Sequence, residues 1–82
     1  MNISILTPDR KVFEGEIKSV KLPGTDGGFE ILNRHAPLVS SLGAGEVRLT
    51  KADGSKQSFK IVSGFVEVLN NNISLLVQGV KE

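Results

Sequence analysis

The sequence predicts an all-β fold, a small antiparallel β-sandwich or flattened barrel of about eight to ten short strands. Three observations carry that expectation. Apolar residues recur with period two rather than 3.6 along most of the chain. Turn-forming residues interrupt the pattern every few positions, and no segment offers a long amphipathic helix to alternate with the strands.

From the N-terminus, residues 3–6, 11–14 and 16–22 read as strands, with Thr7, Pro8, Asp9 and Arg10 as the first turn. Gly15 is expected to mark a β-bulge, because Ile17, Val20 and Leu22 do not keep one alternation. Residues 23–28 are rich in turn formers, and residues 29–32 make a short apolar return before Pro37 interrupts the chain. Further on, residues 46–50 and 56–62 set Val47 and Leu49 opposite Phe59 and Ile61, with Arg48, Ser58 and Lys60 facing outward. Between them Ala52-Asp53-Gly54-Ser55 carries the Asp-Gly signal of a tight hairpin. Residues 66–69 and 73–77 form a second hairpin around Asn70, Asn71 and Asn72, whose side chains tolerate left-handed backbone. On its last strand Ile73, Leu75 and Val77 share one face, and Ser74 and Gln78 the other.

Composition bounds what such a domain does. At 82 residues, with 39% apolar and 23% charged, the chain supports one core and does not resemble a disordered segment. Ten basic against nine acidic residues leave a net charge of +1, which supplies no broad field for nucleic acid or an anionic membrane. There is no cysteine, so disulfides and thiolate chemistry are excluded. The apolar stretch at residues 3–6 is too short for a signal-peptide core, and no apolar run approaches a membrane span.

Candidate chemistry is sparse. His35 is the single histidine and has no second histidine or cysteine with which to build a zinc site, so it reads as a loop-anchoring or interface residue, or as a plain exposed one. Asp9, Asp26 and Asp53 sit in turns, where carboxylates cap backbone. Gly24, Gly27 and Gly28 are not followed by the lysine and hydroxyl of a phosphate loop, and read as a demanding β-turn. Phe13, Phe29, Phe59 and Phe65 would suit base stacking only in a basic groove, and core packing explains them better.

Read in order, Val12-Phe13-Glu14-Gly15, Val20-Lys21-Leu22-Pro23-Gly24, Gly28-Phe29-Glu30-Ile31-Leu32, His35-Ala36-Pro37-Leu38 and Gly64-Phe65-Val66-Glu67-Val68, followed by Asn71, resemble the epsilon subunits of F-type ATP synthases. The resemblance runs from Leu6-Thr7-Pro8 to Val77, with His35-Ala36-Pro37-Leu38 its most specific part. Two departures stand out. Asn33-Arg34 occupies a place where a Pro-Gly pair is common in the family, and Ser63-Gly64 a place where Gly-Gly is usual.

The resemblance implies a single β-sandwich domain over residues 1–82, a short form without the C-terminal helical hairpin that in longer members can inhibit ATP hydrolysis. It implies a non-catalytic central-stalk subunit of a proton-translocating synthase, with no catalytic residue, cofactor or metal site. Such a subunit couples c-ring rotation to the gamma subunit, at the cytoplasmic face of the bacterial inner membrane and peripheral to it. By the same resemblance Thr25, Asp26, Gly27 and Gly28 contact the c-ring, while His35, Ala36, Leu38, Ser40 and Leu42, with apolar residues of one sheet, contact gamma. Self-association of the isolated chain through an exposed edge is also expected. Two other classes stay open: a stand-alone β-domain binding a ligand or RNA, and a small hydrolase of unrecognised chemistry.

Overall fold

The computed structural model describes residues 1–81; Glu82, the predicted limit of the domain, lies outside them. Among the described residues the chain forms β1 (Asn2–Leu6), β2 (Lys11–Gly24), β3 (Gly27–Leu32), β4 (Leu38–Leu42), β5 (Gly45–Lys51), β6 (Lys56–Ile61), β7 (Ser63–Leu69) and β8 (Asn72–Gln78). The all-β sandwich is as the periodicity required, but the strand reading changes in three places.

First, residues 11–24 are one long strand, and Gly15 is not a bulge: it pairs regularly with Ile3 of β1. The strand has two irregularities, one at Val12, which no β1 residue stands opposite, and one at Lys18. Ile17 pairs with Lys51 and Ser19 with Thr50, so no residue of β5 stands opposite Lys18. An extra residue on one strand of an antiparallel pair resets the alternation. That is why Ile17 points into the core on odd phase, and Val20 and Leu22 on even phase.

Second, residues 38–42 are a strand, β4, paired along its length with β7 from Leu38↔Val68 to Leu42↔Gly64. Pro37, read as an interruption, ends just before it. Third, one pairing is parallel. β1 lies antiparallel to β2 and parallel to β8, from Asn2↔Asn72 to Leu6↔Leu76. The cause is counting. β1–β2, β2–β4, β4–β7 and β7–β8 are all antiparallel, and a ring closed through an odd number of strands must contain a parallel pair.

Strand β2 belongs to both layers. Its N-terminal half pairs with β1, whose layer continues through β8, β7 and β4. Its C-terminal half pairs with β3 on one side and β5 on the other, β6 completing that layer, while its last residue, Gly24, also meets β4. Between the layers lie Ile3, Ile5, Ile17, Val20, Leu22, Ile31, Val47, Leu49, Phe59, Ile61, Val66, Val68, Ile73, Leu75 and Val77, all nearly inaccessible to solvent. The predicted inward sets are all here, including the directly opposed pair Val47↔Phe59. No charged or polar side chain is buried with them among the described residues.

The hairpin turns follow their sequence signals. Asn70 and Asn71 take φ of 51° and 64°, the left-handed pair that a two-residue turn between β7 and β8 requires. In the β5–β6 turn Asp53 Oδ1 accepts hydrogen bonds from the Ser55 amide at 2.9 Å and its hydroxyl at 2.6 Å. Those donors favour the ionised carboxylate and hold the Asp53 pKa below its ordinary value.

Adjacent leucines on β8 test the layer assignment. Leu75 is fully enclosed and Leu76 is half exposed. Leu75→Ala is expected to cost about 2–5 kcal/mol of unfolding free energy. Leu76→Ala should stay within about 0.5 kcal/mol, both read from urea denaturation of the purified chain.

Candidate functional site

The two outer faces of the sandwich differ in kind. On the β3–β2–β5–β6 layer the outward positions carry Lys21, Glu30, Glu46, Arg48 and Lys56 around a shallow depression, and Arg48 pairs with Glu46. Opposite charges interleave there and Leu32 is the lone large exposed apolar side chain on β3, so that face has neither a contiguous apolar surface nor a single-sign field.

The other layer is different. Leu6, Leu76, Phe65 and Ser41 stand in register on four neighbouring strands, β1, β8, β7 and β4. Leu76 is 51% exposed, Phe65 43%, and Val39, diagonal to Phe65 on β4, 59%. A depression of about 430 Å³ lies along this row, lined by Leu6, Pro8, Phe65 and Leu76 among others. Contiguous exposed apolar side chains of this kind mark a surface that a partner covers.

The row corrects part of the sequence reading. Phe65 is not core: only Phe59 of the four phenylalanines is fully buried, while Phe13 and Phe29 pack at the core margin. Along β4 the outward residues are Val39 and Ser41 rather than Leu38, Ser40 and Leu42. Leu42 is 3% exposed and belongs to the core, so its side chain is removed from any contact surface. Leu38 and Ser40 are half-buried, and Ala36 and His35 are exposed. The error is one of phase, since a shift of one residue in a strand exchanges its two faces.

The segment leading into β4 is held by an amide network. Asn71 Oδ1 accepts the backbone N–H of Arg34 at 2.8 Å, and Asn71 Nδ2 donates to Asn33 Oδ1 at 2.9 Å. The terminal ammonium of Met1 reaches the same Asn33 oxygen at 3.4 Å and Glu16 at 3.2 Å. Arg34 itself adopts φ of 64°, a left-handed conformation that glycine takes without strain. Next to it His35 N donates to Leu32 O, and the His35 ring Nδ1 lies 2.7 Å from Ala36 O. His35 is therefore part of a folded turn.

At the opposite end of β4, Thr25, Asp26, Gly27 and Gly28 form the exposed β2–β3 hairpin tip. Gly27 takes φ of 124°, and a Cβ on Gly24 would lie 2.5 Å from Gly27 O, so the tip needs glycine at both places. The Thr25 amide donates to Ser41 O at 3.2 Å and Gly43 to Pro23 O at 2.8 Å. Thus β4 connects the hairpin tip at one end with the His35 turn at the other.

Comparison with known proteins meets this geometry. The family model for the ATP synthase delta/epsilon chain β-sandwich domain matches residues 1–82. The chain belongs to that family. The epsilon chain of Chlorobium limicola ATP synthase is 46% identical over 78 residues, covering 95% of this chain and 89% of the relative. The epsilon chain of Leptospira borgpetersenii is 38% identical over 76 residues, covering 93% of this chain but 59% of the relative. Family members of different length thus share this sandwich.

Two solved structures share the delta/epsilon fold. A chain in the Euglena gracilis mitochondrial ATP synthase structure (OSCP/F1/c-ring, rotational state 1) superposes with a TM-score of 0.89 at 17% identity, over 96% of this chain and 51% of that one. A chain in the central stalk/c-ring structure of Tetrahymena thermophila mitochondrial ATP synthase gives 0.82 at 16% identity, over 99% and 65%. At such identities the likeness is one of fold.

What the sequence reading missed was legible in part. Leu75, Leu76 and Val77 are three consecutive apolar residues in a strand, and one of them must face outward. Two substitutions probe the His35 turn. Asn71→Gly keeps the left-handed backbone but deletes both amide bonds, and is expected to lower stability by about 0.5–1.5 kcal/mol. Arg34→Gly is expected to raise it by roughly 0.5–1 kcal/mol, because the strain of the left-handed conformation outweighs the added unfolded-state freedom. Thermal unfolding of the two variants measures both signs.

Proposed function

We propose that this chain is a non-catalytic rotor component of a proton-translocating F-type ATP synthase, in which it joins the gamma subunit to the c-ring and transmits rotation between them. The observation that carries the reading is the apolar row Leu6–Leu76–Phe65 with Val39, on the outside of a closed sandwich in a delta/epsilon family member. Torque transfer needs a body that does not shear. A two-layer sheet with an apolar core resists deformation, because its strands cannot slide without exposing the core or breaking ladder hydrogen bonds.

Gamma docks on the apolar row, on the turn at His35 and Ala36, and on the outward β4 residues Val39 and Ser41, which take the places of the inward-facing Leu38, Ser40 and Leu42. The c-ring contacts the hairpin tip at Thr25, Asp26, Gly27 and Gly28. Both surfaces meet β4, whose ladder to β7 connects them. In this reading the protein is peripheral to the membrane, at the cytoplasmic face, through its partners. ATP chemistry belongs to other subunits, and the mixed charge of the second outer face gives no support to RNA binding.

Covering the exposed half of Leu76 or Phe65 contributes roughly 0.7–1.5 kcal/mol each to docking. Reconstituting the synthase in liposomes with the wild-type chain, with Phe65→Asp, or without the chain tests the reading. ATP-driven proton pumping should stay coupled to hydrolysis with wild type and be lost on omission. Phe65→Asp should weaken gamma binding by at least about tenfold. Full coupling without the chain would overturn the proposal.

A further inference from the structure

Strand β4 has a side that the fold leaves open. Its inner side is paired with β7 throughout, and on its outer side the β2 ladder reaches it only at Gly24↔Leu42 among the described residues. Beyond that point β2 turns away into the hairpin tip. Peptide groups alternate in direction along a strand, so the direction of Val39 follows from its neighbours. Gly43 N and Ser41 O point to β2, where they bond Pro23 O and Thr25 N. Val39 has the same parity, and its N–H and C=O face the vacated place.

The edge is also unprotected. Sheet edges are ordinarily guarded by charged residues, proline, bulges or a covering segment. The outer edge of β6 carries Lys56 and Lys60, and the backbone of Lys81 pairs with Lys60. The free N-terminal half of β2 carries Lys11, Glu14 and Glu16, and β3 has Glu30 at its middle. β4, reading Leu38-Val39-Ser40-Ser41-Leu42, has no charge, no proline and no bulge.

We propose that the gamma chain docks by strand addition, laying an extended segment antiparallel along the outer edge of β4 in the line that β2 vacates at Gly24. This rests on the reading of the apolar row as the gamma-facing surface. The edge is continuous with that row: Val39 projects from β4 on the same face as Phe65. Alternate side chains of an added strand therefore fall beside Val39 and extend over the row, while main-chain hydrogen bonds at Val39 fix the register. The recognised segment carries apolar residues at every second position. A second copy of this chain suits the edge less well, because pairing two β4 edges leaves the Leu76–Phe65 row uncovered in both copies.

Hydrogen exchange followed by NMR tests the proposal on the unaltered chain. The Val39 amide should exchange rapidly in the free protein and slow by on the order of tenfold or more when gamma is bound. Val39→Pro removes a donor that β7 does not use, so the variant should remain folded and bind gamma on the order of tenfold more weakly. Wild-type gamma binding by Val39→Pro, or an unprotected Val39 amide in the complex, with Phe65→Asp still impaired, would overturn strand addition and leave the apolar row as the docking surface. Undiminished binding by both variants would overturn the rotor reading itself. Protection of Val39 that rises with the concentration of this chain alone would assign the edge to a second copy and likewise overturn the proposal.

Discussion

The extra residue at Lys18 is the constraint on which the architecture depends. Without it, β2 would keep one alternation from Phe13 to Gly24, and either Ile17 or the pair Val20 and Leu22 would face solvent. With it, one strand serves two layers and places all three in the same core. The local twist of a bulge also supplies the bend by which β2 passes from the β1 side to the β3–β5 side. Once β2 belongs to both layers, the ring through β4, β7 and β8 closes back on β1, and the parallel β1–β8 pair follows from the strand count.

The difference between the outer faces follows from this closure. Both layers spend one face on a shared core, and what remains outside is free to specialise. One outer face is ordinary solvated surface with interleaved charges. The other carries leucine, phenylalanine and valine where solvent alone would favour polar residues. In the role proposed above, an apolar outer face on a rigid sandwich suits a body held against a partner.

Much of this was legible in the sequence, and the unread parts have physical causes. Period-two patterning at Val47, Leu49, Phe59, Ile61, Ile73, Leu75 and Val77 identified buried faces because each lies in a regular strand beside a short turn. The Asp53-Gly54 and Asn70-Asn71 turns were readable because their chemistry is local. Lys18 carries no such mark: a bulge is defined by what a distant strand fails to place opposite it. Strand β4 escaped for a related reason, since Val39-Ser40-Ser41 has little alternation and its pairing with β7 joins residues far apart in sequence. Of the candidate contacts, the hairpin tip at Asp26 and the His35 turn lie at the surface. The phase of β4 was not legible, because Leu38 and Leu42 look no different in sequence from docking residues.

The parallel β1–β8 pair also bears on how the molecule is made. Ile3 and Ile5 lie against Ile73 and Leu75, so the first strand synthesised finds its flanking partner only when the last strand is complete. A ribosome-bound chain that has reached β7 has the strands of the β1–β2, β2–β3 and β5–β6 hairpins but no closed ring, and its core remains open along the β8 position. Closure over so long a span of sequence carries an entropic cost that local hairpins do not share. The ring therefore cannot close before β8 has been translated.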